Sequence, residues 1–316
     1  MKPLIFVLTA MLFLGSVVSP RAEEVTLSHG GLTLNANLVE ASDNGLADGV
    51  VLITHGLLAH NGMEFVATLQ GLLAERSLNS LAINLSLGLD DRHGMYDCAV
   101  PHSHELIDGL DEIGAWIAWL EAKGANGIVL AGHSNGGRQT AWFAAERDYP
   151  AVEKVVLIAP GISSPDADAR SYRERYGKDL APLIAKARAL VAAGQGDAMM
   201  ARTDFLYCPQ ATVSAASFLS YYGGDPRKNT PRNLPAIEKP VLVVVGTADR
   251  LVAGSGETRD LGVGSLGPAA QRSHLASQPG EALALVGGST QESCHPTLLG
   301  PVRLLGLGAR RDRLLQ

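Results

Sequence analysis

The stretch VLAGHSNGGRQTAWFAA, residues 129–145, joins a strand pattern to a helix pattern at a single turn. An apolar run typical of a buried strand ends at Gly132, and a helical pattern begins directly after Ser134. Gly132 and Gly136 flank the serine in a G-x-S-x-G motif, where the missing side chains permit a sharp, strained turn. Such a turn projects a hydroxyl above the carboxyl end of a sheet, where ligands bind in α/β folds. We therefore predict that Ser134 is a nucleophile rather than part of a purely structural glycine turn.

Strand and helix patterns alternate on both sides of this turn. Residues 25–39 alternate in polarity around a Gly-Gly pair and predict an opening β-hairpin. Residues 102–124 repeat apolar side chains at helical spacing and predict a helix. Further buried-strand patterns lie at residues 50–53, 81–85, 155–158 and 241–245. The alternation predicts an α/β fold with a mostly parallel sheet that helices cover on both faces.

The alternation stops in two parts of the chain. Residues 161–239 carry two helical patterns, LAPLIAKARALVAA and TVSAASFLSYY, and are too long for a plain connection. We interpret them as a helical cap inserted into a main domain at residues 23–252. Residues 253–316 contain no Phe, Tyr, Trp, Ile, Met, Lys or Asn. This atypical C-terminal segment indicates either a divergent tail or a shifted reading frame.

A carboxylate and a histidine that complete a catalytic triad must follow Ser134 if the chain order is Ser, Asp, His. Asp249 comes just after the strand pattern at 241–245, where a carboxylate can orient a histidine cation. An aspartate in a turn or helix cap is the alternative. His295 follows a strand-like run and His274 precedes it. We prefer His295 as the base and keep His274 as the alternative.

Other polar residues carry weaker signals. His55 and Gly56 end the strand pattern at 50–53, so a backbone amide there could share an oxyanion with the amide of Asn135. His102 and His104 suggest a metal pair, but no carboxylate or cysteine stands at ligand spacing. We instead expect these two histidines in solvent at the start of a helix. We expect neither a metal ion nor an organic cofactor.

The first 22 residues have the composition of a signal peptide, with Lys2 ahead of an apolar stretch at residues 4–18. This stretch is shorter than the ~20 residues of a membrane span, so we predict export, to the periplasm, without a membrane anchor. In an oxidising compartment Cys98 and Cys208 could form a disulfide, and two free thiols fit equally well. The net charge of -6 argues against nucleic acid as a partner.

The segments THGLLAHNG, GHSNGG, VLIAPG and VVVGTADRLV resemble the α/β-hydrolase superfamily, in its serine-hydrolase branch of esterases, lipases and S33-type aminopeptidases. The resemblance covers residues 32–252 and implies an eight-stranded sheet that begins with an antiparallel pair. It also implies that Ser134 is the nucleophile and Asp249 the triad acid, with an oxyanion hole formed by the amides of Leu57 and Asn135. The chain departs from the family near its end, where the usual Gly-x-x-His followed by an aromatic residue is absent.

These observations predict a serine hydrolase that cleaves a carboxylic ester through an acyl-serine intermediate. Its expected partner is a small-molecule ester or acyl substrate. An S33-like peptidase would use the same machinery and is one alternative. A binding protein that keeps the fold without a competent triad histidine is the other. The sequence leaves the substrate and the oligomeric state open.

Overall fold

The computed structural model describes residues 22–246 and the backbone of a strand at residues 302–307. Within these residues the strands are β1 (Glu23–His29), β2 (Leu32–Val39), β3 (Val50–Thr54), β4 (Asn79–Asn84), β5 (Ile128–His133), β6 (Val152–Ile158), β7 (Met199–Phe205), β8 (Cys208–Ser214), β9 (Val241–Gly246) and β10 (Val302–Leu307). The α-helices are α1 (Glu64–Ala74), α2 (Asp108–Ala122), α3 (Asn135–Glu146), α4 (Pro165–Tyr176), α5 (Ala181–Ala192), α6 (Ala215–Tyr222) and α7 (Thr230–Asn233). Short 3₁₀ turns occupy Gly45–Asp48, Pro226–Lys228 and Leu234–Ala236.

Eight of the described strands form one sheet in the order β1-β2-β4-β3-β5-β6-β9-β10. The opening pair β1–β2 is antiparallel, as residues 25–39 predict, and β2 also runs antiparallel to β4. All neighbours from β4 to β9 are parallel, and β10 is antiparallel to β9. The predicted mostly parallel, eight-stranded sheet is therefore confirmed.

Helices cover both faces of this sheet. Successive side chains of a strand point to opposite faces, so each strand contributes to a core on either side. Leu52 of β3 packs in the same core as Ile113 of α2. The next residue, Ile53, packs on the other face with Leu69 of α1. Every residue of the central strand β4 is buried, which explains why its sequence lacks a clear polar alternation.

The helix predicted at residues 102–124 begins later than its sequence pattern suggests, at Asp108. His102 lies in an extended segment that bridges to β8: its amide donates to the carbonyl of Thr212 at 2.8 Å, and the Ser214 amide donates to its carbonyl at 2.9 Å. These long-range bonds occupy the backbone groups that a helical turn would need. The prediction of a helix start at His102 was therefore wrong.

Residues 161–239, which we call the cap segment, lie between β6 and β9 and are not purely helical. Helices α4, α5 and α6 are present, but β7 and β8 form an antiparallel hairpin between α5 and α6. The predicted helical stretch TVSAASFLSYY therefore divides, because residues 212–214 belong to β8 and the helix begins at Ala215. The expectation of a helical cap needs this correction.

The cap segment is attached to the rest of the fold at its start and at its hairpin, and its two ends bond to each other. The amide of Gly161 donates to the carbonyl of Ser134 at 2.8 Å, and the hydroxyl of Thr230 donates to the carbonyl of Gly161 at 2.8 Å. At the hairpin, Cys208 forms a disulfide with Cys98, with the two Cα atoms 5.2 Å apart. The sequence left this pairing open, and the structure has the bridge. Across residues 22–246, no helix combines the length and apolarity needed to cross a membrane.

Candidate active site

The turn between β5 and α3 holds Ser134 in a backbone conformation that L-amino acids rarely adopt. Its φ is 54° and its ψ is -117°. Two contacts require glycine around it. A Cβ on Gly132 would lie 2.6 Å from the carbonyl oxygen of Gly136, and a Cβ on Gly136 would lie 2.5 Å from that of Thr54. The G-x-S-x-G pattern therefore permits a close approach of three backbone segments that presents the serine side chain.

The backbone of Ser134 is fixed from both sides. Its amide donates to the carbonyl of Ile158 in the neighbouring strand at 3.0 Å. Its carbonyl accepts the amides of Arg138 at 3.1 Å and Gly161 at 2.8 Å. The strained turn is thus tied to the sheet, to its own helix and to the start of the cap segment.

The loop after β3 meets this turn. A Cβ on Gly56 would lie 3.5 Å from the Cβ of Ser134, so the loop passes directly beside the serine side chain. The Leu57 amide follows in this loop, and the Asn135 amide opens α3 next to the serine. No described residue accepts a hydrogen bond from either amide. Free amides beside a serine hydroxyl are the donors that a developing oxyanion requires.

The side chain of His55 fixes the direction of the Leu57 amide. Its Nδ1 donates to the Gly56 carbonyl at 2.8 Å, and this carbonyl belongs to the same peptide plane as the Leu57 N–H. The Nε2 atom accepts the Leu85 amide at 3.1 Å and lies 3.2 Å from Nη2 of Arg92. Burial and the Arg92 cation lower the pKa of His55 to about 3, so the ring stays neutral and keeps this pattern of donor and acceptor.

A cavity of about 130 Å³ opens between α3 and the cap segment. Leu57 and Arg138 line the cavity on the side of the sheet. Most of its remaining wall is aromatic and comes from the cap segment, with Tyr172, Tyr176, Tyr207, Tyr221 and Tyr222. Since Leu57 also belongs to the loop beside Ser134, the cavity adjoins the serine turn.

Charged side chains gather beside this cavity, and two of them, Arg138 and Asp168, line it. Arg138 Nη2 donates to the side-chain oxygen of Asn135. Asp168 accepts the Ser163 hydroxyl at 2.9 and 3.1 Å and lies 3.9 Å from Lys228 Nζ. Burial raises the pKa of Asp168 and lowers that of Lys228 to about 8, and each partner opposes the shift of the other. Sequence patterns did not indicate this cluster, because its members are separated along the chain by up to 90 residues.

Not every residue of the predicted site can be placed. Ser134, Leu57 and Asn135 come together as described above. Asp249 and both candidate bases, His295 and His274, lie outside the described residues, as does the strand-like run at residues 282–286.

The histidine pair of residues 102 and 104 is buried, contrary to our expectation of a solvent-exposed helix start. His102 stacks on Tyr96 at 4.5 Å, and Phe205 of the cap hairpin lies 5.0 Å from the same ring. His104 Nδ1 bonds to the Tyr221 hydroxyl at 3.0 Å. In the part of the chain that the structure covers, no three His, Cys, Asp or Glu side chains come together in a group that could hold a metal ion.

Comparison with known proteins agrees with this fold. The family described as serine aminopeptidase S33 matches residues 45–262, more than half of the chain. Est1E from Butyrivibrio proteoclasticus is 19% identical over 75% of this chain and 84% of its own, with a TM-score of 0.51. The Pyrococcus furiosus esterase Pf2001 is 17% identical over 77% of this chain and 76% of its own, with a TM-score of 0.50. No curated protein sequence matches the chain. The two structural likenesses show a shared fold, and the family match assigns this chain to the serine aminopeptidase S33 family of α/β-hydrolases.

Proposed function

We propose that this hydrolase cleaves carboxylic esters through an acyl-serine intermediate formed on Ser134. The observation that carries the proposal is the strained φ of 54° at Ser134, in a turn packed against the loop that bears the Leu57 amide. Such strain persists only where the surrounding structure enforces it, and strained residues of this kind cluster at active sites. The free amides of Leu57 and Asn135 support the same proposal.

In the proposed reaction, Ser134 Oγ bonds to the ester carbonyl carbon while its proton passes to a histidine. We assign that histidine to His295, oriented by Asp249, with His274 as the alternative. The amides of Leu57 and Asn135 bind the oxyanion. The ester C–O bond then breaks, and the histidine returns the proton to the departing alcohol. A water molecule repeats these steps on the acyl-serine, releasing the acid and restoring the serine.

The charges of the cavity favour an ester over a peptide with a free amino terminus. An aminopeptidase must bind an ammonium group, which needs an uncommitted carboxylate. Among the described lining residues, the carboxylate is Asp168, which already bonds to Ser163 and pairs with Lys228. Arg138 and Arg175 are cations that line the same cavity and would repel an ammonium group.

We also propose that the protein acts outside the cytoplasm. The Cys98–Cys208 disulfide supports this proposal, because such bridges persist in oxidising compartments. Fusion of residues 1–22 to a reporter that folds only after export would test it. Retention of the reporter in the cytoplasm would contradict it.

The direct test of the proposed function is labelling of the purified protein with a fluorophosphonate, which reacts with activated serines. We expect labelling and hydrolysis of p-nitrophenyl esters by the wild type, and neither by Ser134→Ala. His295→Ala and His274→Ala would identify the base, since only the true one is required for labelling. A folded wild-type protein that binds acyl ligands without labelling would instead support a non-catalytic binding protein.

A further inference from the structure

The tyrosines around the cavity contribute mainly their rings. Four of the five hydroxyls are already hydrogen-bonded within the protein. Tyr172 and Tyr176 donate to the carbonyls of Asp204 and Leu206 at 3.0 and 2.9 Å, Tyr222 accepts the Leu206 amide at 3.1 Å, and Tyr221 bonds to His104 at 3.0 Å. The fifth, Tyr207, has the Arg175 guanidinium over its ring at 4.2 Å. The aromatic wall is therefore suited to an apolar chain.

Arg138 is the polar group of this cavity with donors to spare. One N–H of its guanidinium is used by the side chain of Asn135. Its Nε is buried and has no hydrogen-bond partner among the described residues. Asp168 lies near enough to favour the cation, but its ion pair within 4 Å is with Lys228. A guanidinium with a buried and unused N–H group is destabilising unless an acceptor completes it, and a carboxylate is the acceptor it fits best.

Arg138 lies close to the position that the acyl group would occupy on Ser134. It stands one helical turn after Ser134 on α3. A Cβ on Gly161 would lie 3.5 Å from both Arg138 Nε and the Ser134 carbonyl, so the guanidinium stem is close to the serine backbone. One helical turn separates the two residues, so a short chain is enough to span the distance from the serine to the arginine.

We propose that the acyl group of the substrate carries a carboxylate that binds Arg138; this inference rests on the proposed function. The substrates are then half-esters of short dicarboxylic acids. The apolar methylene chain contacts the tyrosine rings, the ester carbonyl lies at Ser134, and the distal carboxylate completes the guanidinium. Arg175, from the cap segment, adds a second positive charge to the cavity lining and attracts the anion into the cavity.

The test compares monomethyl glutarate with methyl pentanoate, in which a methyl group replaces the carboxylate. The full exported chain is assayed by acid release, and the readout is the ratio of the two kcat/KM values. We expect a ratio in favour of the half-ester in the wild type. Arg138→Met should lower that ratio by about tenfold to a hundredfold, the range for loss of a charge-assisted hydrogen bond. Arg138→Lys, which keeps the charge without the planar fork, should retain part of it.

Arg147→Met is the matched control, since Arg147 follows the other end of α3 and pairs with Asp111. It should leave the ratio unchanged. If both esters are hydrolysed and Arg138→Met leaves the ratio of their kcat/KM values unchanged, the inference is overturned and the proposed function stays intact.

Calorimetric titration of glutarate into the same proteins separates the two proposals. We expect wild-type binding that weakens by about tenfold or more in Arg138→Met. If the wild type hydrolyses neither ester, the proposed function fails. The titration alone then shows whether Arg138 binds a carboxylate. Wild-type protein that does not bind glutarate would refute that site.

Discussion

Removing the Cys98–Cys208 bridge should destabilise the protein more than any single change to a surface residue. The two cysteines are separated by 110 positions, so the bridge closes a long loop in the unfolded chain. The loop-closure relation gives about 4.8 kcal/mol for a loop of this length at room temperature. Since small domains are typically stable by about 5–15 kcal/mol, we expect Cys98→Ala with Cys208→Ala to lose a large part of the free energy of unfolding.

Urea unfolding followed by near-ultraviolet circular dichroism measures this loss. The oxidised wild type and the double variant are each unfolded with and without a thiol reductant. The reductant should bring the wild type to the stability of the variant and leave the variant unchanged. A loss below about 1 kcal/mol would refute the reasoning, because it would mean that the unfolded chain already keeps the two cysteines close together.

Three further predictions concern the serine turn and its surroundings. Gly136→Ala places a Cβ against the carbonyls of Thr54 and His55 and should lower the free energy of unfolding by about 1–3 kcal/mol. The control Gly71→Ala on α1, where a Cβ meets no atom within 4 Å, should not lower it. His55→Phe frees the peptide that carries the Leu57 amide, and we expect kcat for ester hydrolysis to fall about 10²-fold with little change in KM; an unchanged kcat would show that the ring does not orient this donor. Burial holds the pKa of His102 at about 4, below its ordinary 6.5, so the unfolded chain binds more protons between these pH values and stability falls as the pH falls. The wild type should lose about 2 kcal/mol through this group between neutral pH and about pH 5 in urea unfolding, and a His102→Phe variant with an equal loss would contradict this assignment.

The parts of the fold that the sequence predicts are those governed by local patterns. The strands β3 and β5 are continuous apolar runs because neighbours bury them on both faces. The hairpin of β7 and β8 was missed because register shifts at residues 200–205 interrupt its two-residue period. The start of α2 was misplaced because the backbone of His102 pairs with β8, more than 100 residues further along the chain.

The candidate site divides in the same way. Ser134 could be predicted because the strand, the turn and the helix that strain it are contiguous in the sequence. Arg138 belongs to that same helix, yet its importance depends on a cavity wall supplied by the cap segment. Sequence periodicity carries no information on such a distant partner. The assignments of Asp249 and His295 stay predictions.

The attachment of the cap segment has a consequence for how this protein can diversify. The two ends of the segment from residue 162 to residue 229 lie side by side. Gly161, just before it, bonds to both Ser134 and Thr230. An insertion with adjoining ends can be lengthened, shortened or exchanged by recombination without shifting the register of the strands around it. A replacement cap that keeps a cysteine for the bridge to Cys98 would therefore bring a new substrate preference in a single event, while the serine turn is inherited unchanged.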